Sequence, residues 1–406
     1  MRGPSPWGKQ NAMTQAASES RSCYQHGYSN FMNAKDKVIN FDALYRAMMH
    51  CANGVRWKAG TARYLENGLT NTQKLIYELS SGTYRLGKQM HFTIYEPKER
   101  EVVALHLRDR QVQRALLDNY LYEELTRHYI YDNVSCQKGK GTKAAVNRLK
   151  VMMIKAHRLY GNDYYIHLFD IRHFFASTSH KVAKATIRRK VRDNWACEMV
   201  DMLIDSFPGN RGIGLGSDIA QFIELSVLDD LDHFIKERLH ERFYLRYMDD
   251  FLIISDSKDK LREDKRAIEG ELEKIGLVLH PKKTFIVPIR RGFKWQGFRF
   301  RQTETGKIIM TIDKAKIYHE RRKLKRMVRL CKAGRLPKET ADASLECWAA
   351  HAKIGNDYKV ICKMKSYYRN LWKENNNVQE IRCGKQEETG RNQEHGFAGK
   401  DPQCGG

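Results

Sequence analysis

The stretch Phe243-Tyr-Leu-Arg-Tyr-Met-Asp-Asp-Phe-Leu-Ile-Ile254 places two adjacent acids between two runs of aromatic and aliphatic residues. Such runs are typical of β-strands and aspartate is disfavoured inside a strand, so the pattern predicts a hairpin with Asp249 and Asp250 in its turn. Adjacent carboxylates at the tip of an apolar hairpin repel each other, and a bound cation would relieve the repulsion. Hard carboxylate oxygens suit Mg²⁺, although a solvated turn is also consistent with the dipeptide alone.

The chain is strongly basic. Its 406 residues carry 72 lysines and arginines against 48 aspartates and glutamates, a formal net charge of +24. This excess favours a polyanionic partner, nucleic acid ahead of an anionic membrane surface. No apolar run approaches the ~20 residues that span a bilayer, and no secretory signal pattern occurs, so we expect a cytoplasmic protein with no membrane partner. Nine scattered cysteines without a C-x-x-C pair indicate reduced thiols and neither a zinc site nor a disulfide framework.

Hydrophobic periodicity predicts an α+β fold, because helices alternate with antiparallel strand pairs. Residues 1–31 and the last 30 residues are polar and aperiodic, so we expect them to be disordered. The predicted helices begin at Phe41 and cover 71–79, 109–116, most of 180–206, 219–239, 257–275 and 312–372. The predicted strands form a hairpin over 92–103 and single strands at 164–170, 277–279, 284–287 and 293–300.

A third acid follows another apolar strand. Asp170 ends the run from Tyr164 and is followed by Ile-Arg-His-Phe-Phe-Ala-Ser177. If this strand neighbours the hairpin in one sheet, three carboxylates can hold two divalent ions, the arrangement that serves phosphoryl transfer. Capping of the helix that follows is the alternative role for Asp170 taken alone.

Three motifs occur together in a specific order. They are the Asp-x-x-x-Phe-Phe strand end at 170–175, the Gly-rich loop closing in Gln at 212–221, and the Tyr-Met-Asp-Asp hairpin. The chain thereby resembles reverse transcriptases over roughly residues 36–376, on the bacterial side that includes group II intron, diversity-generating and phage-defence enzymes. The resemblance implies a right-hand polymerase with fingers, a palm built on an antiparallel sheet with packed helices, and a helical thumb.

The resemblance also implies domain boundaries. A disordered leader would cover residues 1–35, fingers with an N-terminal helical extension 36–160, a palm including the primer grip 161–300, a basic thumb 301–376 and a disordered tail 377–406. Phe293-Lys-Trp-Gln-Gly-Phe298 resembles the primer-grip hairpin. The basic helices from Lys314 onward would clamp a duplex through its phosphates, with structural helices as the alternative.

Metal-binding and catalytic roles follow from the resemblance. Asp170 and Asp249 would be the main metal ligands, the backbone carbonyl of Ile171 would assist, and Asp250 would complete the acidic cluster. The implied cofactor is Mg²⁺ as two ions, with Mn²⁺ as the alternative. Lys283, directly before Thr284, is the candidate proton donor to pyrophosphate, because a lysine suits developing negative charge.

Substrate contacts are implied at six positions. Phe175 matches the steric gate that excludes a ribose 2′-hydroxyl, and core packing is the alternative, for which Phe174 is the better candidate. The other five are Lys98 and Arg100, which would grip the triphosphate, Gln221, which would face nucleotide and template, and Tyr247 and Met248, which would lie against the primer terminus and duplex.

The Gly-rich loop and its surroundings depart from the family pattern at three positions. Gly214 stands where the family usually has Pro, Ala220 where it has Ser, and His280 where it has Asn. Glycines in this loop would let backbone approach the template base and nucleotide closely. Lys138-Gly-Lys-Gly141 lacks Walker A spacing, so we expect a template-backbone contact there.

These features predict an RNA-directed DNA polymerase that makes cDNA. Its partners would be an RNA template, expected to be a dedicated structured RNA, a DNA or RNA primer and dNTPs, with an accessory protein as a further candidate. Gln221 favours a diversity-generating element over an intron enzyme, and the Val-Thr-Gly triplet of retron enzymes is not found near the thumb; phage defence stays open. The alternatives are an RNA-templated RNA polymerase, which Phe175 disfavours, and a catalytically inert nucleic-acid-binding protein, which the intact acids disfavour.

Overall fold

The computed structural model describes residues 33–95, 99–214 and 216–373, and of Arg100 only the backbone. Most of the predicted leader and all of the predicted tail lie outside these ranges. The described chain begins with Asn33, whose side chain caps a short helix by accepting a hydrogen bond from the Asp36 amide.

The described residues form two compact units. One holds residues 33–149 and Tyr165–Ile286, and the other holds Lys150–Tyr164 and residues 287–373. The predicted division into fingers, palm and thumb stays a prediction.

In the first unit the helices are α1 (Ala34–Val38), α2 (Phe41–Ala52), α3 (Ala59–Glu66), α4 (Gly68–Ser80), α5 (Leu107–Leu116), α6 (Tyr122–Thr126), the start of α7 (Thr142–Tyr160), α8 (Phe174–Ser177), α9 (His180–Lys190), α10 (Asn194–Asp205), α11 (Asp218–Val227), α12 (Asp229–His233) and α13 (Lys258–Lys274).

The first unit also carries the sheets that the hairpin patterns predict. A two-stranded ribbon pairs β1 (Met90–Ile94) with β2 (Arg100–Ala104). The central sheet has the order β4-β5-β3-β6 and consists of β3 (Tyr165–Asp170), β4 (Phe243–Tyr247), β5 (Asp250–Ser255) and β6 (Phe285–Pro288). β5 runs antiparallel to both β3 and β4. The predicted α+β class is therefore confirmed.

Packing of helices against the central sheet explains its apolar runs. Leu168, Phe169, Phe251 and Leu252 are all buried, and the rings of the paired Phe169 and Phe251 stack with centroids 4.6 Å apart. Helix α9 packs on both α10 and α11, and all three contribute residues to this core. The strands that carry the acids are thus held by a large buried core, which fixes where each strand ends.

The predicted long helix over 219–239 is wrong in its continuity. It ends at Val227, restarts as α12, and finishes in one turn of π-helix at Phe234–Arg238. The predicted core positions along it are nevertheless buried: Phe222, Leu225, Leu228, Leu231 and Ile235. The break has a local cause, since the Ser226 hydroxyl donates to the Phe222 carbonyl and competes with helix hydrogen bonding. Just after the break, the Asp229 carboxylate lies 2.5 Å from the ammonium nitrogen of Lys190.

The predicted strand at 277–279 is also wrong. This segment joins the end of β3 through a single bridge between Ile171 and Leu279, flanked by the amide of His280, which donates to the Asp170 carbonyl at 2.8 Å. A tight turn over 280–284 then ends the pairing, with the Thr284 amide donating to the His280 carbonyl at 3.0 Å. The same turn brings Lys283 beside Asp170.

The second unit is a three-stranded antiparallel sheet with basic helices. Its strands follow the order β7 (Phe293–Trp295), β8 (Phe298–Gln302) and β9 (Ile308–Ile312), and its helices are the end of α7, α14 (Lys314–Lys332), α15 (Lys338–Ala352) and α16 (Tyr358–Lys373). The sequence prediction contains no counterpart of β9, because residues 301–311 were assigned to neither a strand nor a helix. The β7–β8 turn has positive φ at both Gln296 and Gly297, as a tight two-residue hairpin requires. In neither described unit does a helix have the length and apolar character to cross a membrane.

Candidate active site

The turn between β4 and β5 lies one residue earlier in the chain than the sequence predicts. Tyr247 pairs with Asp250, so the turn consists of Met248 and Asp249 alone. Met248 has φ 55°, the left-handed conformation that two-residue hairpins demand at their first position. The prediction that both acids lie in the turn is therefore wrong for Asp250, which is the first residue of β5.

The sheet register brings the third acid to the same place. β3 lies beside β5, and Asp170 is the direct cross-strand partner of Asp250. The Ile171 amide donates to the Asp249 carbonyl at 3.4 Å, which ties the end of β3 to the turn. The three acids named from sequence thus meet at one corner of the sheet, as expected if the two strands are neighbours.

The acids at this corner oppose one another's ionisation. Burial, followed by the charges of Asp249 and Asp170, raises the pKa of Asp250 to about 7. Lys283 opposes this shift, and its Nζ donates to Asp170 Oδ1 at 2.7 Å and Oδ2 at 2.6 Å. The lysine cation therefore offsets the negative charge of Asp170. A divalent cation at the same place would offset it more strongly.

The oxygen atoms at this corner are of the type that binds a divalent cation, but they are not already arranged around one point. Nowhere in the described ranges do three His, Cys, Asp or Glu side chains converge as a ready metal site. The oxygen donors that would hold Mg²⁺ are the carboxylates of Asp170 and Asp249 and the Ile171 carbonyl, all hard ligands. Burial and the neighbouring acids together raise the pKa of Asp250, and a bound cation would oppose that shift. The metal-ligand assignments stay predictions.

A cavity of about 650 Å³ opens beside the acids within the first unit. Asp170, Asp249, Phe175 and Lys283 line it together with residues of β2 and the Gly-rich loop. Phe174 and Phe175 are both among the residues that line it. Phe174 is 3% exposed and belongs to the core, and Phe175 is half-buried and packs against that core. The gate role of Phe175 stays a prediction.

The remaining predicted substrate residues are less directly placed. Gln221 is exposed on α11 and is not part of this cavity lining. Tyr247 and Met248 are half-buried against the segment after α6, with 3.4 Å between the hydroxyls of Tyr247 and Thr142. Lys98 lies outside the described residues, and the side chain of Arg100 is not described.

The glycines of the loop before α11 have a packing reason. A Cβ on Gly214 would lie 2.3 Å from the Phe207 ring, and one on Gly216 would lie 2.5 Å from the Val103 carbonyl oxygen. The loop therefore sits against β2 at a distance that no side chain permits. Proline also carries a Cβ, which explains why Gly214 replaces the family's usual residue here.

Two buried charged groups near the acids escaped the sequence interpretation. Arg246 is fully buried and forms a two-point ion pair with Asp232, its Nε 2.6 Å from Oδ1 and its Nη2 2.5 Å from Oδ2. Glu224, also fully buried, accepts from the Thr178 hydroxyl at 2.8 Å, and burial with the nearby charge of Asp249 raises its pKa well above the ordinary value. A charged residue inside an apolar run was the available signal in both cases, since such a residue needs a buried partner.

Residues 96–300, just over half of the chain, match the family model of the reverse transcriptase (RNA-dependent DNA polymerase). No curated protein matches the chain. Solved structures similar to it include three telomerases from Candida. Apo telomerase from Candida tropicalis truncated from the C-terminal domain is 14% identical, with a TM-score of 0.43 over 61% of this chain and 60% of that one. Apo telomerase from Candida tropicalis is 13% identical (TM-score 0.44, 60% and 52%), and telomerase from Candida albicans in complex with a fragment of telomeric RNA is 12% identical (TM-score 0.45, 77% and 63%). The chain thus spans less than two thirds of each telomerase.

The α+β fold, with acids at one corner of an antiparallel sheet, is that of a polymerase of the reverse-transcriptase class. The chain belongs to the reverse transcriptase family.

Proposed function

We propose that the protein is an RNA-directed DNA polymerase that extends a DNA or RNA primer with dNTPs on an RNA template. The observation that carries the proposal is the register of β3 and β5, which pairs Asp170 with Asp250 and places Asp249 in the adjoining turn at the cavity. Asp170, Asp249 and the Ile171 carbonyl would hold two Mg²⁺ ions. The bound ions would activate the primer 3′-hydroxyl and stabilise the leaving pyrophosphate.

Other residues would act on the nucleotide directly. Phe175 would exclude a ribose 2′-hydroxyl from the cavity that it lines. Lys283 would donate a proton to pyrophosphate, and to do so its ammonium must leave the Asp170 carboxylate that it contacts here. Lys98 and Arg100 would grip the triphosphate, while Gln221, Tyr247 and Met248 would contact template and primer.

The biological setting is part of the same proposal. Gln221 at the end of the Gly-rich loop supports a bacterial diversity-generating element, with a phage-defence system as the second setting. A dedicated structured RNA would serve as template, and residues 36–160, 161–300 and 301–376 would act as fingers, palm and thumb. Primer extension with the chain and RNA transcribed from its own locus, compared with an unrelated RNA of equal length, would separate a dedicated template from a general one.

The decisive experiment is primer extension on an RNA template with dNTPs or rNTPs. We expect extension with dNTPs by the wild type and a loss of at least ~1,000-fold in Asp249→Ala, since removal of a group that acts at the reacting atoms costs this much. Asp259→Asn is the matched control, because Asp259 is 82% exposed on α13 and its loss leaves the corner intact.

Each alternative predicts a different result. Extension with rNTPs alone would indicate an RNA-templated RNA polymerase. Nucleic-acid binding without extension would indicate an inert binding protein. Undiminished product from Asp249→Ala would overturn the role of the acids.

A further inference from the structure

Both backbone polar groups of Met248 are held by side chains from outside the turn. The Met248 amide donates to Ser135 Oγ at 3.0 Å, and the Met248 carbonyl accepts from Arg246 Nη1 at 3.2 Å. A residue in the left-handed conformation is costly for any side chain larger than glycine, so this turn needs support from its surroundings. Asp249 is the next residue, and its position follows from that of Met248.

Ser135 is fixed in the orientation that this contact requires. It is fully buried, and its hydroxyl donates to Asn133 Oδ1 at 3.2 Å, which leaves an oxygen lone pair for the Met248 amide. The segment that carries it runs along the edge of β4. The Arg246 amide donates to the Asp132 carbonyl, and the Val134 amide donates to the Arg246 carbonyl, each at 3.0 Å. Ser135 is thus anchored to the same strand whose turn it supports.

Arg246 completes the support from beneath. Its guanidinium is held by the buried carboxylate of Asp232 and by the Leu225 carbonyl at 3.2 Å, so little freedom remains for the group that contacts Met248. Tyr244 also donates to Asp232, at 2.6 Å. Arg246 has no access to solvent, so all its polar contacts are made within the protein. Its contacts therefore support the fold and the turn.

We propose that Ser135 is a positioning residue that holds the Met248–Asp249 turn, and through it the Asp249 carboxylate, in the geometry needed opposite Asp170. The proposal rests on the proposed polymerase function for its catalytic consequence. Its structural part, a buried serine hydroxyl that fixes the turn amide, stands independently. Ser135 is fully buried and is not among the residues that line the cavity, so its loss should change how well the acids bind metal and leave nucleotide affinity alone.

The test compares Ser135→Ala with Ser255→Ala. Ser255 is the matched control, because it too is buried and its hydroxyl accepts from a backbone amide, that of Ser257 at 3.2 Å, at the end of β5 away from the turn. In Ser135→Ala we expect hydrogen exchange of peptides containing Met248 to be about 10-fold faster, as for the loss of one ordinary hydrogen bond. We expect Mn²⁺ binding, followed by electron paramagnetic resonance, to weaken about 10-fold, as for the loss of an outer-shell partner.

Kinetics and a conservative variant complete the test. kcat for nucleotide addition should fall about 10-fold in Ser135→Ala with the KM for dNTP changed by less than ~2-fold. Ser135→Thr keeps the hydroxyl oxygen and should retain exchange protection and Mn²⁺ binding. The proposal is overturned if Ser135→Ala matches wild type, if Ser255→Ala shows the same losses, or if a folded Ser135→Thr is as impaired as Ser135→Ala. A wild type that extends no primer would refute the polymerase activity, while exchange and Mn²⁺ binding would still decide the role of Ser135.

Discussion

Asp249 and Asp250 are identical neighbours in the chain with different surroundings. Asp249 lies in the turn, whereas Asp250 begins β5 opposite Asp170 and has its pKa raised to about 7. The difference in surroundings arises because the hairpin closes at Tyr247, one residue earlier than an Asp-Asp turn would allow. The roles of Asp249 as shared metal ligand and of Asp250 in setting the charge of the corner stay predictions.

Phe175 offers the most direct residue-scale prediction about substrate choice. Phe175→Val should raise rNTP incorporation and lower the preference for dNTP over rNTP by roughly 10- to 100-fold, because the smaller side chain no longer fills the space a 2′-hydroxyl would need. The ratio of kcat/KM values for the two nucleotides measures this effect. Phe92→Val is the control, since Phe92 is 48% exposed on β1 and should leave the ratio unchanged. An unaltered ratio in Phe175→Val would rule out the gate.

At the scale of elements, the Gly-rich loop gives a prediction about stability. Gly214→Ala should lower the free energy of unfolding by about 1–3 kcal/mol in urea titration, because the new Cβ overpacks against the buried Phe207 ring. Gly270→Ala on α13 is the control and should raise it by about 0.5–1 kcal/mol, since that glycine has open space around it within a helix. A Gly214→Ala variant as stable as wild type would show that the loop does not need its glycine.

Helix α13 carries a buried acid whose ionisation opposes folding. Asp264 is 4% exposed, and burial followed by the charge of Glu241 raises its pKa to about 7. In the unfolded chain the same group loses its proton near pH 4. Between pH 4 and 7 the folded state therefore binds more protons, and the contribution of Asp264 to stability is lost as the pH rises.

Asp264→Asn should accordingly have a flatter stability profile between pH 4 and 7 and be more stable than wild type at pH 8. Urea midpoints measured across this range give the comparison. Asp259→Asn, on an exposed position of the same helix, should follow the wild-type profile. If Asp264→Asn kept the wild-type pH dependence, another group would be responsible for it.

At the scale of the whole molecule, the charge of +24 predicts salt-sensitive binding to nucleic acid. Lys325 and Arg326 are exposed on α14, in a helix that carries six lysines or arginines within residues 321–330. The double variant Lys325→Gln/Arg326→Gln should weaken binding of an RNA–DNA duplex and lower the slope of log affinity against log KCl by about 1–2. Fluorescence anisotropy measures both quantities. Lys274→Gln is the control, because it removes an exposed lysine that is already paired with Glu271, and it should leave the slope unchanged. If Lys274→Gln changed the slope equally, the effect would come from net charge alone.

The sequence by itself determined the α+β class, the strand that carries Asp170, the hairpin that carries the acid pair, and the family. These features depend on local patterns, because strand periodicity and turn chemistry are written over a few consecutive residues. Local patterns gave a wrong prediction for the hairpin turn, which could close at either of two residues. They also gave a wrong prediction for the helix over 219–239, whose apolar face is the same whether the helix is continuous or broken.

Only the tertiary structure decided what surrounds the acids. Lys283 reaches Asp170, and Ser135 reaches the Met248 amide, each across 113 residues of chain. The partner of Arg246, the raised pKa of Asp250 and the contact that forbids a side chain at Gly214 likewise come from chain folding back on itself. Burial and long-range pairing set these properties, and neither is encoded in the spacing of neighbouring residues.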